Sequence, residues 1–118
     1  MYKISKQFHF SASHQLFGLG DCHPCARLHG HNYVVEVELS SETLDSHGFV
    51  IDYNDLGEFK TFIDDTLDHR HLNDVCGDDG VTSEKLAKWL FDWCHQRWPQ
   101  VSAMRISETP KTWAEYRP

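Results

Sequence analysis

The segment Cys22–His31 places two thiols and three imidazoles within ten residues and then continues into a β-branched, apolar stretch. Cysteine and histidine are common ligands of transition metals, so a strand must emerge directly from a region rich in potential metal ligands. His29 and His31 are two residues apart, and on an extended backbone their side chains project from the same face. The segment therefore predicts a metal site at the beginning of a strand.

Length and charge narrow the classes of protein to which the chain can belong. Its 118 residues predict a single domain, residues 1–118. The formal net charge of −7 disfavours nucleic acid and anionic membranes as partners. The first residues lack the apolar stretch of a signal peptide, so we expect a cytoplasmic protein whose four cysteines are free thiols. Nine histidines favour a metal site further.

Apolar side chains alternate with polar ones in the first half of the chain, which is typical of strands. One strand is predicted over Tyr2–Phe10, and His14 shares the parity of its apolar residues. A loop over Leu16–Asp21 leads to a second strand over His31–Leu39. The short apolar run Phe49–Ile51 predicts a third strand.

The second half of the chain has helical spacing. Apolar residues three or four apart predict an amphipathic helix over Leu56–Leu67, ending near Asp68. A second helix begins at Thr82–Glu84 and stops before Pro99. Two final strands are predicted, at Val101–Thr109 and Trp113–Tyr116. This order predicts an α+β fold, an antiparallel sheet with two helices packed on one face.

Three interpretations of the histidine- and cysteine-rich segment compete. His14, His29 and His31 could bind a divalent metal, zinc above all, and leave a fourth position open. Cys22 and Cys25 could instead join His29 and His31 in a closed Cys2His2 site, or the segment could be a polar loop. We favour the three-histidine site, because in a zinc finger the histidines usually lie a dozen or more residues away on a helix. Cys25 then stays free near a metal that lowers local pKa values, as a reactive thiol requires.

Two further positions have a functional and a plain interpretation each. Asp68 beside His69 could form a proton relay, or it could end a helix with a solvated histidine as its neighbour. Glu108 shares strand parity with Met104 and Ile106, so it could point inward and accept from N–H groups of a ligand. It could equally be an exposed acid at a strand end. From these residues alone the plain interpretation is favoured in both cases.

Five ordered motifs nevertheless resemble one family over nearly the whole chain, the 6-pyruvoyl-tetrahydropterin synthase superfamily. They are similar to its Phe-x-Ala-x-His, Cys-x3-His-Gly-His, Leu-Asp-His, Thr-Ser-Glu and late Glu-Thr motifs, and occur here at Phe10–His14, Cys25–His31, Leu67–His69, Thr82–Glu84 and Glu108–Thr109. Three residues separate Cys25 from His29. That spacing resembles the bacterial branch of 6-carboxy-5,6,7,8-tetrahydropterin synthases, whereas the pyruvoyl-forming branch has a longer one. Cys22 has no counterpart in these motifs.

The resemblance implies a role for each motif residue. His14, His29 and His31 would bind zinc, and Cys25 would be the catalytic thiol. Asp68 and His69 would form a proton relay, and Glu108 would anchor the pterin. Thr82 and Ser83 would line the pterin pocket, a looser assignment.

The resemblance also implies a fold and a reaction. The fold is the tunnelling fold, assembled into β-barrels and usually hexamers with sites between subunits. The substrate would be a small-molecule pterin triphosphate, 7,8-dihydroneopterin triphosphate. The products would be 6-carboxy-5,6,7,8-tetrahydropterin, acetaldehyde and triphosphate, in queuosine biosynthesis.

Overall fold

A five-stranded sheet forms the framework of the protein in a computed structural model that describes residues 1–20 and 22–118. In chain order the strands are β1 Tyr2–His14, β2 His29–Ser41, β3 Arg70–His71, β4 Val101–Ser107 and β5 Ala114–Tyr116. Across the sheet their order is β3-β1-β2-β4-β5. Neighbours are antiparallel except β3, which pairs parallel with β1.

The long hairpin of β1 and β2 is the centre of this sheet. Its ladder runs without a break from Tyr2 opposite Ser41 to His14 opposite His29. Alternating apolar side chains bury one face of both strands, which is why both are long and in fixed register. The two predicted strands are confirmed. β1 begins at Tyr2 as predicted and continues to His14, whereas β2 extends beyond both of its predicted ends.

The helical segment after β2 changes pitch along its length. It consists of a 3₁₀ turn at Tyr53–Leu56, an α-helix at Gly57–Phe62, called α1, and a π-helical turn at Ile63–Leu67. The side chain of Asp52 begins it by accepting a hydrogen bond from the backbone N–H of Asn54 at 2.9 Å. The predicted helix over Leu56–Leu67 is thereby confirmed as one helical segment.

Two more α-helices follow β3. They are α2, Leu72–Cys76, and α3, Ser83–Arg97, whose predicted start at Thr82 and stop before Pro99 are confirmed. None of the helices in the described part of the chain is long and apolar enough to cross a membrane.

The core lies between one face of the sheet and the helices α1 and α3. Phe8, Phe10, Tyr33 and Val35 contribute from the strands. From the helical side the buried residues include Leu56, Phe59, Ile63, Leu67, Leu86, Leu90 and Phe91. Since the helices cover one face only, the predicted α+β architecture is confirmed.

The predicted third strand at Phe49–Ile51 is wrong. Asp45 closes a turn there, because its carboxylate accepts hydrogen bonds from the backbone N–H groups of His47 and Phe49 at 2.8 and 2.9 Å. The segment therefore packs Val50 into the core without joining the sheet. The predicted loop at Leu16–Asp21 is irregular over residues 16–20, and Asp21 lies outside the described residues.

Candidate functional site

The three predicted metal ligands lie together at one end of the β1–β2 ladder. His14 is paired with His29, and His31 lies opposite Ala12. Side chains two residues apart on a strand share a face, so all three imidazoles project to the same side. One ring nitrogen from each histidine lies within 4.8 Å of the others. The register of two strands thus creates the group.

Backbone carbonyls fix the protons on two of the rings. Nδ1 of His14 lies 2.8 Å from the carbonyl oxygen of Val81, and Nδ1 of His29 lies 2.6 Å from that of Arg27. A carbonyl oxygen can only accept, so each Nδ1 carries a proton and each Nε2 of the neutral ring keeps its lone pair. The two Nε2 atoms are 2.8 Å apart. With both Nδ1 protons directed at carbonyl oxygens, the two Nε2 atoms converge on one point, where a shared cation can accept both lone pairs.

The third ring has an unsatisfied nitrogen. Nε2 of His31 is buried and has no hydrogen-bond partner among the described residues. Burial lowers the pKa of His31, the Glu108 carboxylate opposes this shift, and the neighbouring His14 and His29 lower the pKa further. A buried polar atom without a partner is unfavourable unless a ligand occupies it. Three imidazoles with convergent nitrogens therefore fit a divalent metal ion.

Neither cysteine of the opening segment belongs to this group of donors. Cys25 lies in a single 3₁₀ turn, Pro24–Ala26, where its backbone N–H donates to Nδ1 of His23 at 3.1 Å. Its carbonyl oxygen accepts from the backbone N–H of Leu16 at 3.0 Å, which folds the loop back onto the end of β1. The side chain of Cys25 is partly buried, Cys22 is exposed, and both are free thiols. This arrangement disfavours the closed Cys2His2 interpretation.

Asp68 and His69 form a hydrogen-bonded pair that is attached to β1. One carboxylate oxygen of Asp68 accepts from Nδ1 of His69 at 2.9 Å, and the other accepts from the backbone N–H of Ser11, also at 2.9 Å. The backbone N–H of His69 returns a hydrogen bond to the carbonyl oxygen of Ser11. These contacts hold the pKa of Asp68 below its usual range. The hydrogen bond from Ser11 has the largest effect on the pKa, and the one from the His69 ring comes next. The carboxylate can therefore stabilise a protonated His69.

Glu108 connects the start of α3 with the histidine group. The hydroxyl of Ser83 donates to Oε1 of Glu108 at 2.5 Å, and Oε2 lies 3.6 Å from Nε2 of His31. Its carboxylate is three-quarters buried, not fully exposed as the plain interpretation requires. The hydroxyl of Thr82 has a structural task, since it caps α3 by accepting from the backbone N–H of Lys85 at 3.2 Å.

Two cavities meet at His31. The first, of about 590 Å³, is lined by Ser11, Ala12, Ser13, Gly30, His31, Asn32, His69, Arg70 and His71. The second, of about 430 Å³, is lined by Gly30, His31, Asn32, Val34, Ser107, Glu108, Thr109, Pro110 and Trp113. The first contains the relay candidate His69, and the second contains Glu108. The metal-ligand candidate His31 thus borders both.

Sequence reasoning missed several residues that line the first cavity. Ser11, Ser13 and Asn32 lie on the sheet face away from the helices, and alternation alone interprets that face as solvent-exposed. Arg70 and His71 lie in β3, which is too short to show a period. The signal that could have indicated Arg70 and His71 is the cluster of ionisable residues directly after Asp68.

Known proteins are similar to this chain over nearly its whole length, and one solved structure shares its fold. A 6-carboxy-5,6,7,8-tetrahydropterin synthase of Haemophilus influenzae is 32% identical, over 99% of each chain. A synthase of the same name from Synechocystis is 33% identical, over 98% of this chain and 93% of its own. The structure of the Caenorhabditis elegans 6-pyruvoyl tetrahydropterin synthase aligns with a TM-score of 0.86 at 28% identity, over 99% of this chain and 95% of that one.

The sequence profile of one family spans almost all of the chain. It is the 6-pyruvoyl tetrahydropterin synthase profile, and it matches residues 3–118. The match includes every strand and helix that contributes to the histidine group, the Asp68–His69 pair and the two cavities. The chain therefore belongs to the 6-pyruvoyl tetrahydropterin synthase family.

Proposed function

We propose that this protein is a zinc-dependent carbon–carbon lyase that converts 7,8-dihydroneopterin triphosphate and water to 6-carboxy-5,6,7,8-tetrahydropterin, acetaldehyde and triphosphate. The observation that carries the proposal is the convergence of three imidazoles beside two cavities that contain His69 and Glu108. The names of the bacterial relatives support this reaction over others in the family. Its place would be queuosine biosynthesis in the cytoplasm.

His14, His29 and His31 would hold the zinc ion through Nε2. When bound, zinc supplies Lewis acidity to the side-chain hydroxyls of the substrate. The carbonyl partners of His14 and His29 set the required tautomer before any metal arrives. The buried Nε2 atom of His31, which makes no hydrogen bond within the described residues, supports the same set of ligands.

Cys25 and the Asp68–His69 pair would carry the proton transfers. The thiolate of Cys25 would remove a proton from a side-chain carbon, and His69 would deliver protons to the opposite face. Asp68 would hold the His69 ring in one orientation through Nδ1, which leaves Nε2 directed away from the carboxylate. The low pKa of Asp68 supports this role, because an ionised carboxylate stabilises the protonated imidazole.

Glu108 would anchor the pterin ring by accepting from adjacent N–H groups. The hydrogen bond from Ser83 directs one carboxylate oxygen and supports a place for Ser83 beside the ring. Thr82, whose hydroxyl caps α3, would line the same pocket with other atoms.

We also propose that the chain acts as a homo-oligomer, a hexamer with its sites at subunit interfaces. β3 and β5 are the two edges of the sheet, and an open sheet edge is commonly covered by another strand. Pairing between copies would close the sheets into a barrel.

An assay with product identification tests the reaction. Zinc-loaded protein incubated with 7,8-dihydroneopterin triphosphate should release acetaldehyde and yield a pterin with the mass of the 6-carboxy product. A product that keeps all the side-chain carbons would identify a 6-pyruvoyl-tetrahydropterin synthase instead. This second candidate is favoured by the structural similarity to the Caenorhabditis elegans synthase of that name. Absence of both products would contradict the proposal.

A pair of cysteine variants separates the lyase from a non-catalytic zinc- or pterin-binding module. Cys25→Ala should lose roughly a thousandfold or more in turnover and keep its zinc, because the thiol acts on the substrate and not on the metal. Cys22→Ala is the matched control and should keep both properties. Loss of zinc from Cys25→Ala, measured by elemental analysis, would support a closed structural site and contradict the enzyme.

A further inference from the structure

The residue directly after β1 is attached to α2 by a buried side chain that has no part in the proposed reaction. Asn73 of α2 is only 8% exposed. Its Oδ1 accepts from the backbone N–H of Gln15 at 3.0 Å, and its Nδ2 donates to the carbonyl oxygen of Gln15 at 2.8 Å. A backbone N–H can only donate and a carbonyl can only accept, so these two contacts allow one orientation of the amide. Asn73 therefore satisfies both backbone groups of Gln15.

The side chain of Gln15 reaches the loop that carries Cys25. Its Nε2 donates to the carbonyl oxygen of Ala26 at 2.8 Å. The next residue, Leu16, donates from its backbone N–H to the carbonyl oxygen of Cys25 at 3.0 Å. Two neighbouring carbonyls of the loop are thus bound by the two residues that follow β1. The turn that contains Cys25 consequently has a fixed place relative to the end of β1.

The same part of the chain also orients a metal-ligand candidate. The carbonyl oxygen of Val81, in the connection between α2 and α3, lies 2.8 Å from Nδ1 of His14. Val81 is buried, as Asn73 is. Because His14 and Gln15 are adjacent, one buried segment determines both the direction of the His14 ring and the attachment of the Cys25 loop.

We propose that Gln15 and Asn73 are positioning residues for the Cys25 thiol: Gln15 holds the loop, and Asn73 holds Gln15. This inference rests on the proposed function, in which Cys25 removes a proton from the substrate. Proton transfer requires the reacting atoms to be within hydrogen-bonding reach, and a displacement of about 1 Å can cost about a hundredfold in rate. In this role neither side chain contacts the substrate.

Substitution of Gln15 tests the first step. Methionine has a similar length and no donor, so Gln15→Met loses the hydrogen bond to Ala26. In the zinc-loaded protein kcat should fall roughly tenfold or more, with KM and zinc content little changed, because the thiol is displaced and the metal ligands are not. Gln7→Met is the matched control and should keep the wild-type kcat, since Gln7 lies in the middle of β1 and donates to Glu36.

A rescue variant separates loss of position from loss of packing. Nε of arginine is as many bonds from Cα as Nε2 of glutamine and also carries a hydrogen, so Gln15→Arg can donate to the same carbonyl. Its kcat should stay close to that of wild type. A wild-type kcat in Gln15→Met, or a kcat of Gln15→Arg as low as that of Gln15→Met, would overturn the role of Gln15.

The role of Asn73 is tested by combining substitutions. Asn73→Ala removes both contacts with the Gln15 backbone and should lower kcat at least as much as Gln15→Met. If Asn73 acts through Gln15, the double variant is little slower than Asn73→Ala, whereas independent effects multiply and would contradict the link. If loss of the buried amide prevents folding, as judged by urea unfolding, Asn73→Ser replaces it in the same cycle, because a hydroxyl can still donate and accept.

Hydrogen exchange separates this inference from the proposed reaction. Exchange over residues 22–28, followed by mass spectrometry, is compared in wild type, Gln15→Met and Gln7→Met. It should be faster in Gln15→Met alone, because the loop has lost one of its attachments to the end of β1. If wild type forms no 6-carboxy product, the proposed reaction is wrong, and faster exchange still assigns the position of the loop to Gln15. Unchanged exchange overturns the inference even when the product forms.

Discussion

At the scale of single residues, His69 is held in a backbone conformation that side chains rarely adopt. Its φ of 59° is in the left-handed region, and it is the only non-glycine residue with positive φ in the described chain. Such a conformation costs about 1 kcal/mol. The hydrogen bonds from the His69 backbone to Ser11 and from its ring to Asp68 offset this cost. Backbone strain at a residue that lines a cavity is typical of functional positions.

The Asp68–His69 pair leads to a prediction for Asp68→Asn. The asparagine carbonyl can still accept from Ser11, but a neutral amide does not stabilise a protonated imidazole. We expect kcat to fall by roughly 10²- to 10⁴-fold with KM little changed. Zinc content, measured by elemental analysis, should stay at the wild-type level. Asp65→Asn, in the preceding π-helical turn, is the control, and equal kcat values for the two variants would contradict the relay.

At the scale of elements, Glu38 joins three strands on the sheet face away from the helices. Both its carboxylate oxygens bind the guanidinium of Arg117, at 2.7 and 3.0 Å, and Oε2 also accepts from Ser102 at 2.6 Å. Arg105 lies 3.3 Å from the same carboxylate and also pairs with Glu115. The side chain of Glu38 is only 7% exposed. This cluster attaches β5 and the C-terminal segment to β2 and β4.

The cluster predicts that Glu38→Gln lowers the free energy of unfolding much more than Glu115→Gln does. Glu38→Gln leaves two arginines without their shared buried carboxylate, so the free energy of unfolding should fall by roughly 2–4 kcal/mol. Glu115 is 41% exposed, and its loss should change the free energy by less than about 1 kcal/mol. Equilibrium unfolding in urea measures both. Equal effects would show that burial does not decide the contribution of this cluster.

The periodic spacing of apolar residues was sufficient to predict the strands and helices that bury one face, and insufficient to predict the other elements. β1, β2 and α3 follow from apolar spacing, and the grouping of the three histidines follows from the parity of His14 with β1. The run Phe49–Ile51 was mispredicted, since the carboxylate of Asp45 closes a turn that apolar content does not indicate. β3 has only two residues and pairs in parallel with β1, so no local sequence pattern predicts it.

The residues of the candidate site also fall into a group that apolar spacing predicts and a group that it does not. Its histidines lie on the face whose alternation is visible, whereas Ser13, Arg70 and His71 lie on the other sheet face or in β3. Their grouping depends on which strand lies next to β1. That neighbour is set by the helical segment that leads to Asp68, a tertiary property that spacing along the chain does not encode.

At the scale of the whole molecule, paired carboxylates make stability depend on acidity. Hydrogen bonds from Arg117, with Ser102 and Arg105, lower the pKa of Glu38 from 4.5 to about 2, and the pKa of Asp68 is lowered as well. A depressed pKa means that the fold favours the ionised form, so this stabilisation is complete above pH 4.5 and is lost as the pH falls towards 2. Urea unfolding between these values should show a falling midpoint.

The same measurement on Glu38→Gln assigns the effect. That variant starts from a lower stability and should show a shallower decline over this pH range, because the titrating carboxylate is gone. A decline as steep as that of wild type would assign the acid sensitivity to other groups, Asp68 among them.

The loop between β1 and β2 begins directly after His14 and ends directly before His29, two residues that face each other in the ladder. Residues can therefore be inserted into this loop or deleted from it without displacing either histidine. Such a change would move Cys25, which lies inside the loop, relative to the histidine group. Divergence in loop length would thus change where the Cys25 thiol lies within one fold while His14 and His29 keep their positions.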